Sequence, residues 1–104
     1  MSRNPLTAGL RPTHPGEILR EDLLPALGRS KVDIARLLGV SRGALYNLLD
    51  EKAAITIDMA LRIGKLTGTN PELWLSLQQT YDLRMAEEHM AEALRDIPTL
   101  HAAE

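Results

Sequence analysis

Residues 30–49 read Ser30-Lys31-Val32-Asp33-Ile34-Ala35-Arg36-Leu37-Leu38-Gly39-Val40-Ser41-Arg42-Gly43-Ala44-Leu45-Tyr46-Asn47-Leu48-Leu49. Ser30 followed three positions on by Asp33 is an N-cap pattern, and Gly39 offers the left-handed residue that stops a helix. The spacing predicts a helix over about 31–38. Only Gly39 and Val40 separate it from Ser41, a second N-cap, after which Arg42 to Leu49 makes two more turns. Two short helices joined by so few residues cross steeply. The crossing asks for a small residue at closest approach, a positive-φ residue in the turn, an apolar residue over the helix end and leucines pointing inward. Ala35, Gly39, Val40 and the pair Leu45 and Leu48 meet those demands.

Working outward, Pro15 suits the first position of a helix whose Leu19, Leu23, Ala26 and Leu27 form an i, i+4, i+7, i+8 stripe, with Pro25 expected to end or kink it. Downstream, Thr56 caps a helix over about 57–67 that ends at Gly68 and aligns Met59, Ile63 and Leu66. Asn70-Pro71-Glu72 is a further start signal, and nothing breaks the chain until Pro98, so the last helix is expected to run from 71 to as far as 96. No stretch alternates with period two and no repeat is present, so the fold class is all-α with five helices. Residues 1–12, with two prolines and one glycine, are expected to form a flexible arm, 13–85 the folded domain, and 86–104 a helical extension and tail.

The chain has 104 residues, 44% of them hydrophobic and 25% charged, which is one small globular domain. With no Phe and only Trp74, Tyr46 and Tyr81 as aromatics, the core must be aliphatic. No cysteine is present to supply disulfides or thiolate ligands, and a chain this short buries a modest share of its surface, so a homodimer is plausible on size alone. The N-terminus has no apolar signal-peptide run and no segment holds about 18 consecutive apolar residues. A soluble, cytoplasmic protein without membrane contact is expected.

Catalytic signatures are missing. Neither a G-x-G-x-x-G nor a phosphate-loop string occurs, no serine sits in a G-x-S-x-G setting, and His14, His89 and His101 lack metal-ligand spacing. The histidines are read as capping or solvated groups, with no metal, no cofactor and no enzymatic role. What remains is the outer face of the second short helix, once Leu45 and Leu48 are given to packing: Ser41, Arg42, Gly43, Ala44, Tyr46 and Asn47. Such a small, polar helix fits the major groove, with the preceding helix lying across the phosphates. This is a helix-turn-helix. Net charge, −2, first argues against an acidic partner. Divided along the chain it is 0 over residues 1–27, +2 over 28–56 and −4 over 57–104, so the reading region is basic and the end of the chain acidic.

At these residues the chain resembles the HigA-type antitoxins of the lambda-repressor-like helix-turn-helix family, over roughly residues 12–85. The matching pieces are His14-Pro15-Gly16-Glu17-Ile18-Leu19, the turn from Ala35 to Arg42, Asp58-Met59-Ala60-Leu61-Arg62, and Thr69 to Leu77 followed by Tyr81-Asp82-Leu83. Pro71-Glu72-Leu73-Trp74-Leu75 is the most specific of them. The resemblance implies a lambda-repressor-like domain with a long C-terminal helix. It implies an antitoxin that binds a small basic HigB-type ribonuclease toxin and, as a homodimer, represses its own operon through double-stranded operator DNA. It places Lys31 near phosphate, Ser41, Arg42, Gly43, Ala44, Tyr46 and Asn47 on the recognition helix, and Lys52 near the backbone in the following loop. Gly43 and Ala44 replace the common Ser and Thr, and Asp50-Glu51 an Asn-Gly-like turn.

Several of these residues carry a second reading. Arg42 can be an ordinary surface arginine or a contact to phosphate or a guanine edge; Tyr46 can pack on a helix or touch a thymine methyl or phosphate. Trp74, Leu77 and Tyr81 stand at i, i+3, i+7, a core stripe shading into a two-fold interface, and the apolar face that continues through Met85, Met90 and Leu94 is expected to pack on a partner, either another subunit or the toxin. The alternatives for the whole protein are a regulator of the same fold without a toxin, and an interaction protein that has lost DNA binding.

Overall fold

The computed structural model describes residues 12–102. Most of the flexible arm expected over 1–12, and the last two residues of the tail, lie outside them.

His14 opens the first helix: its Nδ1 accepts the N–H of Gly16 at 2.9 Å and Pro15 takes the first helical position of α1 (Pro15–Ile18). The backbone then widens into a π-helical turn, Leu19–Leu23, and returns as α2 (Leu24–Leu27). Pro25 has no N–H for the carbonyl of Glu21 and its ring crowds that carbonyl. The wide turn relieves this by letting the N–H of Leu24 reach back five residues to the carbonyl of Leu19. The rod therefore passes through Pro25 and ends at Gly28. The extra residue also rotates the face: Leu19, Leu23 and Leu27 of the expected stripe pack in or on the core, but Ala26 is exposed and Leu24 is buried in its stead, which corrects that one position.

The remaining starts are made by capping side chains. Ser30 Oγ, Ser41 Oγ and Thr56 Oγ1 accept the N–H groups of Asp33, Ala44 and Met59, opening α3 (Lys31–Leu38), α4 (Arg42–Leu49) and α5 (Ile57–Thr67) at the residues expected. Asn70 Oδ1 does the same for Glu72 and opens α6 (Pro71–His89). The single helix expected over 71–96 is corrected: it breaks at Met90 and resumes as α7 (Ala91–Arg95). No Gly or Pro stands at the break. From Ala86 on every described residue is exposed, so no packing holds the last turns in line with the first.

The helices enclose one aliphatic core of Leu19, Leu24, Ile34, Ala35, Leu38, Leu45, Leu48, Leu49, Ile55, Ala60 and Ile63, with Trp74 its one aromatic. α3 packs on α4 and α5, α5 on α6, and α1 on both α4 and α6. The indole N–H of Trp74 donates to Thr69 Oγ1 at 2.8 Å, so the largest core residue leaves no polar atom unpaired. Among the described residues no strand occurs and no helix is long and apolar enough to cross a membrane.

Candidate nucleic-acid interface

The turn between α3 and α4 is built from backbone hydrogen bonds. Gly39 sits at φ +74° and its N–H reaches the carbonyl of Arg36, while the N–H of Val40 reaches that of Ala35. This is a Schellman ending, in which the left-handed residue turns the chain back over the last carbonyls of the helix. Arg62, on α5, donates from Nη1 to the carbonyl of Leu38 at 2.7 Å and from Nε to Asp58, closing the same end from outside. Ala35, Leu45 and Leu48 are buried where the two helices meet.

With that side committed, Ser41, Arg42, Gly43, Ala44, Tyr46 and Asn47 are all exposed. Lys31, in the first turn of α3, holds its ammonium 5.9 Å from the centre of the Tyr46 ring, so the two are brought together. Lys52 is exposed on the loop after α4, its N–H bonded to the carbonyl of Asn47 at 2.8 Å. Among the described residues, Arg20, Arg29, Arg36, Arg62, Arg84 and Arg95 each pair with a carboxylate, and Arg42 does not. The guanidinium at the start of α4 is thus uncommitted. Asp33 takes up both Arg29 and Arg36, and those two hydrogen bonds, Arg29 first, hold its carboxyl below the ordinary range.

Positioning residues that the sequence reading passed over surround this face. Arg20 Nη1 donates to the carbonyl of Leu49 at 2.6 Å and to Glu51 Oε2 at 3.2 Å, tying the end of α4 to the first rod. Glu51 has φ +62°, a conformation an L-residue adopts at some cost, and the ion pair with Arg20 holds it there. Gly16 lies against the end of α4 so closely that a Cβ on it would run into the Leu48 carbonyl oxygen. Gln78 on α6 is buried, accepts the N–H of Ile55 at 2.7 Å and donates to Asp82 at 3.0 Å, anchoring the loop between α4 and α5. A glutamine four residues after Trp74, on its inward face, was the available signal.

The expected interface stripe divides. Trp74 is 2% exposed and belongs to the core of its own chain, which corrects its placement in an interface. Leu77 and Tyr81 are half-buried, Tyr81 edge-on to His14 at 4.9 Å. Met85 is half-buried, and Met90 and Leu94 are exposed beyond the body of the fold.

Comparison with known proteins accords with this geometry. The helix-turn-helix family profile matches residues 19–74, more than half of the chain, and the protein belongs to that family. It is 43% identical over 75 residues to virulence-associated protein I of Dichelobacter nodosus, covering 72% of this chain and 69% of that one. Among solved structures, antitoxin GraA in complex with its operator superposes with a TM-score of 0.83 at 41% identity, over 98% of this chain and all of GraA. Pseudomonas aeruginosa antitoxin HigA with the higBA promoter superposes with the same TM-score at 35% identity, over 88% of this chain and all of HigA. Within the helix-turn-helix family the chain is of the HigA type, a type of DNA-binding regulators and not of enzymes.

Proposed function

We propose that the protein is an antitoxin and autorepressor. As a homodimer it lays α4 of each copy into successive major-groove segments of its operator, about one helical turn or roughly 34 Å apart. The observation that carries this is the uncommitted Arg42, flanked by Lys31 and Lys52 around a small polar helix face, in a chain whose other described arginines are paired. Ser41, Gly43, Ala44, Tyr46 and Asn47 meet base edges and sugar-phosphate, and Lys31 and Lys52 meet phosphate. Residues 13–85 form the binding module, and 86–104 the extension through which copies or partners are engaged. The partner neutralised is a small basic HigB-type toxin, met by a C-terminal part of the chain that carries −4.

Arg42→Ala with Lys31→Ala is expected to weaken operator binding in a mobility-shift titration and to flatten its salt dependence by about 0.9 per lost phosphate contact. Unchanged affinity and slope overturn the proposed reading surface. Co-expression with the neighbouring reading frame tests the other half: growth rescue and a co-purifying complex are expected, and rescue without complex formation overturns neutralisation by binding.

A further inference from the structure

We propose that Arg20, on the first rod and outside the reading helix, is a positioning residue for operator binding: through Glu51 it holds the left-handed turn that carries Lys52 to the phosphate backbone. This rests on the Lys52 contact in the reading above and names the residue that sets it.

α4 closes in a Schellman ending. The carbonyl of Asn47 accepts the N–H of Lys52 at 2.8 Å, and the carbonyl of Leu48 accepts that of Glu51 at 3.1 Å. Glu51 therefore occupies the position that such endings give to glycine. Gly28, Gly39 and Gly68 end their helices at φ +66°, +74° and +70°, whereas among the described residues Glu51, at φ +62°, is the one left-handed residue with a side chain. The exception falls at the end of the helix that the reading above lays in the major groove.

Arg20 compensates for it. It stands in the π-helical turn of the first rod, a local widening of the kind that recurs at functional sites. Its Nε is fixed by Glu21 at 2.9 Å, which leaves Nη1 to reach across to α4. There it meets the carbonyl of Leu49, one of the last-turn acceptors that no helical N–H can serve, and the Glu51 carboxylate. The ion pair stabilises a backbone conformation that glutamate alone disfavours. It also draws the carboxylate inward, the Glu51 side chain being 14% exposed, so that this charge is neutralised within the fold while the next residue, Lys52, stands exposed. Lys52 thus lies between two fixed points, Glu51 tied to the first rod and Ile55 tied to Gln78 on α6.

The probe is a duplex covering the DNA upstream of the protein's own reading frame, titrated at several salt concentrations. If the turn relaxes, each protomer loses one phosphate contact. Arg20→Ala, with unchanged helical circular dichroism, is then expected to flatten the logarithmic salt slope by about 0.9 for each of two protomers, or about 1.8. A fourfold rise in salt costs such a variant about 12-fold less affinity than it costs the unsubstituted chain. Glu51→Ala keeps the Arg20 bond to Leu49 but leaves a Cβ at positive φ without its ion pair; it is expected to behave as Arg20→Ala does, and it decides the question even where Arg20→Ala does not fold. In a Glu51→Gly chain glycine takes the left-handed turn unaided, so Arg20→Ala is expected to lose most of its effect there.

An Arg20→Ala or Glu51→Ala protein with the unsubstituted affinity and slope overturns the inference. Equal weakening by Arg20→Ala with Glu51 and with Gly at that position also overturns it, because Arg20 then acts through Leu49 alone. The same flattening in a chain already carrying Lys52→Ala does so too, since Arg20 then meets phosphate itself. A slope that Lys52→Ala leaves unchanged removes the contact on which the inference rests and refutes it, while Arg42 and Lys31 keep their places in the reading surface. An unsubstituted protein that leaves the duplex unshifted refutes the repressor reading and this inference together.

Discussion

Gly16→Ala and Gly43→Ala make the same chemical change and are expected to move stability in opposite directions. At Gly16 the added Cβ meets the carbonyl oxygen of Leu48 and lies 3.1 Å from both the Leu48 carbonyl carbon and His14 Nδ1. The obstacle is backbone, at the end of the recognition helix, so the first rod and α4 must separate towards the roughly 3.5 Å of an ordinary contact. Overpacking of this kind costs about 1 to 3 kcal/mol, and an immovable neighbour places it in the upper half of that range. For a domain of this size that is a fall in Tm of roughly 10 to 20 °C. At Gly43 the Cβ meets nothing within 4 Å. There the methyl reduces the freedom of the unfolded chain and favours helix, worth about 0.5 kcal/mol in a first turn and a rise of a few degrees. Thermal and urea unfolding followed by circular dichroism measure both. A Gly16→Ala protein melting with the wild type refutes the close approach, and a Gly43→Ala protein falling as far as Gly16→Ala refutes the contact argument altogether. Operator binding adds a second axis: Gly16→Ala displaces α4 and weakens it, while Gly43→Ala weakens it only if the DNA backbone or a base edge needs the space that the glycine leaves.

Gln78→Leu removes the acceptor of the buried Ile55 N–H and is expected to lower stability by about 1 to 3 kcal/mol in urea titrations; a loss below 0.5 kcal/mol, on the order of a solvated bond, refutes the anchor. Asp33 is expected to titrate below the ordinary carboxylate range by carbon NMR and to move upward in Arg29→Ala; because its folded value is depressed, its stabilising effect is present above the unfolded value and is lost as pH falls through the folded one, and a midpoint at or above the ordinary value refutes the pairing. If Lys31, Arg42 and Lys52 each meet one phosphate, a dimer neutralises about six and the logarithmic salt slope of operator binding is about −5; a slope near −10 requires further basic contacts and refutes that footprint.

The parts of the fold that follow from neighbours in sequence are readable there. Ser30, Ser41 and Thr56 cap helices within three residues of themselves, and Gly39 ends one within its own turn, so the bounds of α3, α4 and α5 follow from local hydrogen bonding. The first rod is less readable, because Pro25 signals trouble without saying how it is resolved: the π-helical turn restores one hydrogen bond and shifts the buried face from Ala26 to Leu24. The break at Met90 has no residue signal at all. Its cause is an absence, the lack of any surface beneath the helix beyond Met85. Trp74 was ambiguous for a related reason, since a stripe at i, i+3, i+7 looks the same whether its cover is the same chain or another.

The candidate site illustrates a different limit. Counting charge along the chain separates a basic reading region from an acidic end, but the count of +2 over residues 28–56 treats every cation alike. Arg29 and Arg36 share Asp33 and are largely spent around the first turn of α3. Arg62, which lies outside that count, is spent on the carbonyl of Leu38 and on Asp58. Arg42 and Lys52, by contrast, are not held by any carboxylate among the described residues, and Lys31 leans on a ring face that leaves its charge intact. The positive field available to a phosphate backbone is therefore concentrated on three side chains around one helix, not spread over the region. Pairing depends on which side chains the fold brings within 4 Å, and four of the decisive contacts, from Arg20 to Leu49 and Glu51, Gln78 to Ile55 and Arg62 to Leu38, join residues 23 to 31 positions apart. A motif places the reading helix; long-range polar contacts decide which of its neighbours remain free to bind.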